Sequence, residues 1–335
     1  MAQTKLREGQ TVGTAANAII NGDCSVNQRV TAYTLVKDAY CWDSSDLYGP
    51  DRFEGMATGT LVSAGTFGQT TSANCGVSGT AFKFAGVTLT GTGILYLRYR
   101  MEAKDAKKFK NQTASFKCKA YQDTGGAIDH TIYIRKADVA NVFSAVTAIS
   151  NSGAVSIPNI TETALPYAAI AMGDCSNGIE IEIKIAAGAI TTKNFEIAEC
   201  KFEIGATSTN FEFIDFSEEL SSSKRYYRKT YSYSIAPASA STASLPGGSG
   251  NAAAATAGYL SYTYNFDDMR APPTIVTYDT LGASGKMNRS TLGAATATGN
   301  NSAQAQADSK GVLIYSQTGA SHTYCESHLT LAAEL

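Results

Sequence analysis

Gly178-Ile179-Glu180-Ile181-Glu182-Ile183-Lys184-Ile185 alternates apolar and charged residues without a break. Side chains on a strand point to opposite faces with a period of two. The isoleucines therefore fall on one side and Glu180, Glu182 and Lys184 on the other, the pattern of an antiparallel strand with one buried and one solvated face. The same period recurs where Leu95, Leu97 and Tyr99 alternate with Tyr96, Arg98 and Arg100, and where Ile132 and Ile134 alternate with Tyr133 and Arg135. Between Phe195 and Ile204 the apolar phase slips from Phe195/Ile197 to Cys200/Phe202/Ile204, which predicts a β-bulge near Ala198. Gly, Ser, Thr, Asn and Ala interrupt these runs at short intervals, so the first two thirds reads as an all-β sandwich.

Helix is scarce. Asp138 to Ile149 fits a helix or two short strands equally. Ser217 to Lys229 is the best helical candidate: Ser217 caps, Glu218 and Glu219 suit the positive end, Phe216, Leu220, Ser223 and Tyr227 share a face, and Lys224, Arg225 and Arg228 suit the negative end. Beyond it only ten residues are charged. Ala236–Gly258 and Gly293–Ser309 are low-complexity segments that suit loops or closely packed small-residue strands. Thr274–Tyr278 and Val312–Tyr315 are the strands expected of a second β domain.

Of 335 residues, 44% are hydrophobic and 17% charged, which excludes a charge-driven disordered chain. Lys+Arg 27 against Asp+Glu 29 leaves a net charge of −2. No global basic field exists to hold nucleic acid. A chain beyond roughly 250 residues usually divides its core, so two domains are expected. The opening ten residues lack the apolar stretch of a secretory leader, and the chain is expected in the cytosol unless an assembly carries it out. Seven cysteines without a C-x-x-C pair fit buried thiols better than disulfides or zinc.

Four ordered blocks carry a resemblance. They are Asn21-Gly22-Asp23-Cys24-Ser25-Val26-Asn27-Gln28-Arg29 with Pro50-Asp51-Arg52-Phe53; Glu199 to Glu212, including Glu203, Gly205 and Phe211; Glu219 to Tyr227, ending Arg225-Tyr226-Tyr227; and Phe266 to Thr274, including Met269, Arg270 and Pro273. Together they resemble a bacteriophage tail-fibre and virion-protein family. The chain departs from that pattern at Cys24, Phe53, Asn210 and Lys224, and the blocks are packing and turn signals rather than a ligand site. The resemblance implies a docking arm to other virion proteins (1–20), a jelly-roll β-sandwich similar to carbohydrate-binding modules (21–215), a helical connector (216–232) and a smaller C-terminal β domain (233–335). It also implies a homotrimer in the virion, assembled in the host cytoplasm. The role expected is a non-enzymatic appendage that recognises host-surface glycan. A head fibre or capsid decoration with no host-binding role is the alternative, and a polysaccharide depolymerase a more remote one.

Candidate sites are few. Tyr40, Trp42 and Tyr48 could form an aromatic ligand patch, although Trp42 suits a core better. Asp43, Asp46 and Asp51 could hold a structural Ca²⁺ through oxygen; no cofactor is otherwise required. Lys107, Lys108 and Lys110 belong to a basic run, Lys104 to Lys119, that suits an anionic polysaccharide, an edge-strand guard or an acidic neighbour. Glu180 and Glu182 stand about 7 Å apart by strand geometry, a spacing compatible with glycan hydrolysis, but read as a solvated strand face. His322 and His328 are roughly 20 Å apart on a strand, too far to share an ion within one chain. Surface or interface histidines are expected there, with an ion on a threefold axis as the alternative.

Overall fold

The computed structural model describes residues 17–29, 32–36, 38, 49–59, 61–243, 245–249, 258–290, 298–318 and 324–335. It forms two compact units. The first takes in Ala32–Phe216, the described residues up to Ser25, and Leu335. The second comprises Val26–Thr31 and Ser217–Glu334. Gln28 and Arg29 therefore belong to the second unit, although their block begins in the first.

The first unit is a β-sandwich. One sheet runs in the order β1 (Ala32–Thr34), β3 (Leu61–Thr70), β4 (Ala81–Thr90), β12 (Ile190–Ile204), β6 (Thr113–Gln122) and β10 (Thr163–Ala171). The other runs β2 (Phe53–Thr58), β5 (Ile94–Glu102), β11 (Gly178–Ile185), β7 (Ile128–Val139) and β8 (Val142–Asn151), with β9 (Val155–Ile157) also paired to β7. Successive strands cross repeatedly between the sheets, the connectivity of a jelly roll. The inner residues of both, among them Phe53, Phe67, Phe82, Phe84, Leu95, Leu97, Phe116, Ile132, Ile181, Ile183 and Phe202, make one core. The isoleucines of β11 supply its middle, as their period demands.

The expected bulge falls one residue late. Pairing of β12 with β6 slips between Ala198 and Lys201, where Glu199 has φ +52°. The first block seals this irregularity: Cys200 N donates to Gly22 O at 2.8 Å, and a Cβ on Gly22 would lie 2.2 Å from Cys200 O. Only glycine permits that approach. Asn21 Nδ2 donates to Asp51 O, and Arg52 reaches Arg100 O and lies over the Tyr99 ring. Asp23 Oδ1 accepts from Ser25 N, closing the same turn. Gly205, at φ +145°, turns the chain off the end of β12.

Asp138 to Ile149 proves extended: β7 ends, Asn141 turns at φ +61° and β8 returns. A short helix missed by the sequence reading, α1 (Ala103–Ala106), leads into a 3₁₀ turn at Lys107–Phe109.

The second unit opens with α2 (Phe216–Lys224). The expected helix to Lys229 is cut short because the backbone of the two tyrosines has other partners: Ala333 N donates to Tyr226 O, and β13 (Tyr227–Lys229) pairs with β22 (His328–Ala332). Three small sheets follow, β13-β22-β16 (Thr274–Tyr278), then β14 (Gly247–Ser249)-β21 (Tyr324–Glu326)-β17 (Lys286–Ser290)-β18 (Thr298–Ser302), and β15 (Gly258–Asn265)-β20 (Gly311–Thr318)-β19 (Gln304–Ala307). Leu260, Met269, Met287, Val312, Ile314, Leu329 and Leu331 form their core. Parts of three of the four blocks meet here. Gln28 Nε2 donates to Tyr227 O at 3.0 Å, the Arg29 guanidinium lies 3.7 Å from the Tyr227 ring centroid and pairs with Glu334 at 2.8 Å, and Arg270 donates to the carbonyls of Ala333 and Glu334.

Candidate functional site

The outward face of the second sheet is not a solvated strand surface. Antiparallel register sets Glu54, Arg98, Glu182 and Tyr133 in one row, and Arg100, Glu180 and Arg135 in the next. Opposite charges thus sit directly across from one another, the arrangement that stabilises cross-strand pairs. Arg98 Nε donates to Glu54 at 2.6 Å. Arg100 Nε lies 3.1 Å from Glu180 Oε2, and Arg135 bridges Glu180 at 3.1 Å and Glu182 at 2.8 Å. Arg100 also donates to Leu335 O at 2.9 Å. Glu54, Arg98, Arg100, Glu180 and Glu182 are all buried, which corrects the expectation for Glu180 and Glu182. Alternation reports only which side a residue takes, and here three carboxylates and three guanidinia make the polar side dense enough to bury.

This arrangement has no poised hydrolytic pair. A general acid must deliver a proton. The oxygens of Glu180 are occupied by Arg100 and Arg135, and that of Glu182 by Arg135. Arg135 keeps its charge firmly: burial opposes it, yet Glu182 and Glu180 raise its pKa above the ordinary value.

The grid opens at one end. Tyr96, opposite Lys184, and Tyr133, opposite Glu182, are half-buried, as is Lys184 between their strands. Burial raises the Tyr96 hydroxyl pKa, Glu182 and Tyr133 add to the effect, and Thr58 hydrogen-bonds it. The hydroxyl is therefore a donor at neutral pH. Arg135 sits 5.0 Å from the Tyr133 ring centroid, fixing that ring from one side. Two rings with an ammonium between them can stack on a sugar and hydrogen-bond its hydroxyls. The alternation along β5 and β7 puts both tyrosines on the outward side, yet neither is among the binding candidates nominated from the sequence. Their position two strands apart on one charged face was the available signal.

The other candidates scatter. Tyr40, Trp42, Tyr48, Asp43, Asp46 and His322 lie outside the described residues. Asp51 is fully buried in the turn that Asn21 caps. Among the described residues no group of three or more His, Cys, Asp or Glu could hold a metal. Lys107 and Lys108 are exposed on the 3₁₀ turn, while Lys110 pairs with Asp174 at 2.7 Å. The edge-guard reading fails for the strand part of the run, because β6 lies between β12 and β10. His328 is buried, not at a surface, and stacks on Tyr231 with ring centroids 3.8 Å apart. The six described cysteines are buried free thiols.

No family model matches this chain, and no curated protein does. Among solved structures it is similar to a carbohydrate-binding module of the β-sandwich superfamily, at 13% identity and TM-score 0.33 over 45% of this chain and 57% of that one. It is similar also to the C-terminal family 22 carbohydrate-binding module of Clostridium thermocellum Xyn10B, at 10% identity and TM-score 0.33 over 47% and 88%. A third is the enzymatically active domain of tailspike protein 4 of bacteriophage CBA120, at 14% identity and TM-score 0.32 over 46% and 19%.

Proposed function

We propose that this protein is a non-enzymatic glycan-binding component of a bacteriophage virion, an appendage of the tail-fibre type. The observation that carries the binding role is the pair of half-buried tyrosines, Tyr96 and Tyr133, with the half-buried Lys184 on the strand between them, at the open end of an otherwise internally paired face. The four ordered blocks support the virion assignment, with residues 1–20 as the docking arm and a homotrimer as the working form. The low charge of the C-terminal third suits close contact between copies.

The test uses the full-length protein on an array of bacterial surface polysaccharides, its mass measured by light scattering. The expected result is a particle of three 35.2 kDa chains that binds a subset of glycans and blocks phage adsorption to cells carrying them. Tyr96→Ala with Tyr133→Ala should weaken binding at least tenfold, each lost ring contact being worth about 1 kcal/mol. A protein that binds no polysaccharide overturns the glycan reading, and a double variant that binds as well as the parent overturns the assignment of that binding to Tyr96 and Tyr133.

A further inference from the structure

The outward face of the first sheet carries a cleft. The slip after Ala198 places Lys201 on β12 directly opposite Lys117 on β6. Like charges so placed are unfavourable unless other groups intervene. The chain beyond Gly205 folds back and supplies some of them: Ser208 Oγ donates to Phe116 O, Thr209 donates to the Glu203 carboxylate, and Lys201 Nζ donates to Thr209 Oγ1 at 2.5 Å and Asn210 O at 2.8 Å. A cleft of about 200 Å³ remains, lined among others by Val77, Lys117, Lys119, Glu199, Phe211 and Phe213.

Its charges are matched except one. Lys201 pairs with Glu203 at 3.3 Å, and Lys119 is held between Glu162 at 3.0 Å and Glu199 at 3.3 Å. Glu199 accepts from Val77 N and Glu162 from Gly76 N. Lys117 has no ion pair or hydrogen bond from its ammonium among the described residues, and it faces the cleft. Across from it Phe211 and Phe213 pack edge to face with centroids 5.0 Å apart, leaving Phe213 49% exposed. An unmatched cation beside an exposed aromatic ring selects an anion that carries an apolar face. The volume lies below the roughly 300 Å³ at which drug-sized ligand sites begin, so it suits one ring rather than a chain of them.

We infer that this cleft binds a single carboxylate-bearing sugar ring of the uronic-acid type, with the carboxylate on Lys117 and a ring face against Phe213. The ligand class rests on the glycan-binding reading above, but the surface is a different one.

The experiment is ligand-observed saturation-transfer NMR on the full chain, with D-glucuronate, its methyl ester, D-glucose and acetate as probes. Glucuronate should bind at least tenfold better than the ester, glucose or acetate. Lys117→Met should abolish that preference and Lys117→Arg restore it. Phe213→Ala, at an exposed position that leaves folding intact, should weaken glucuronate about fivefold. Equal binding of ester and acid, acetate binding as well as glucuronate, or a preference that survives Lys117→Met overturns the proposal. The Tyr96/Tyr133 double variant separates the two sites. If it also loses glucuronate, the acid sits on the tyrosine face and this proposal falls while the glycan reading stands. If it keeps both glucuronate and the array polysaccharides, the cleft stands and the tyrosine assignment falls.

Discussion

The two outward faces of the sandwich solve the same problem differently. Both place several ionised side chains on a sheet. On the second sheet an unbroken antiparallel register sets glutamates against arginines on β2, β5, β11 and β7, and a planar guanidinium can bridge carboxylates within one strand or across two. The grid closes on itself and is buried. On the first sheet the slip at Glu199 sets lysine against lysine, and an ammonium is a point charge that cannot fork in the same way. Two of the three lysines there are clamped and one is left over. Regular register therefore consumes charge, and a bulge releases it for binding.

The buried grid is most vulnerable at Glu180. Glu180→Leu leaves Arg100 and Arg135 without their shared carboxylate in a buried setting, which should cost about 3–5 kcal/mol in urea unfolding. A cost near that of an exposed pair would mean that water reaches the grid.

On the inner face the same sheet buries a titratable group, His130. Its ring is fully buried, with Nδ1 3.1 Å from Ile128 O and, among the described residues, no partner at Nε2. Burial lowers its pKa from 6.5 to about 4, against the opposing pull of the Ile128 carbonyl and Asp129. The folded chain thus binds this proton less readily than the unfolded chain. The stability is fully present above about pH 6.5 and declines as pH falls toward 4, by about 2–3 kcal/mol at pH 4.5. His130→Met should flatten unfolding midpoints between pH 7 and 4.5, apart from a residual slope from His328, whose pKa burial also lowers. A slope unchanged by the substitution would show that His130 does not carry the acid sensitivity.

The alternation in β11 made the sandwich legible, since a period of two states both the element and its inner face. The phase slip located the bulge to within a residue for the same reason. Helix α2 was misjudged at its end because β22, about a hundred residues later, takes the backbone of Tyr226 and Tyr227, and no local pattern announces such a partner. The site was less legible still. Glu180 and Glu182 looked solvated because charge usually marks solvent, and only the register shows that each faces arginines on neighbouring strands. Lys117 was one member of a basic run in the sequence. Folding sends Lys107 and Lys108 to a turn, gives Lys110 and Lys119 carboxylates and leaves Lys117 unmatched beside Phe213, a segregation set by contacts distant along the chain.

The smallest expected effect tests whether burial, rather than geometry, separates strong pairs from weak ones. Lys110 and Asp174 meet at 2.7 Å, as close as Arg135 and Glu182 at 2.8 Å, but their side chains are 46% and 54% exposed. The Lys110 hydrogen bond, then those from Ser176, hold the Asp174 carboxyl well below its ordinary range. A depressed carboxylate contributes stability above its unfolded pKa that is lost as pH falls through the folded value, which would make Asp174 a stabilising group at neutral pH. Solvent and salt screen an exposed pair, and ordering two mobile side chains offsets most of what attraction remains. Asp174→Ala should therefore leave the urea midpoint unmoved at 0.15 M salt, with at most a small shift at low salt. A loss comparable to that of Glu180→Leu would show that hydrogen-bond geometry alone sets the strength of these pairs, and the contrast drawn between the buried grid and the open surface would fail.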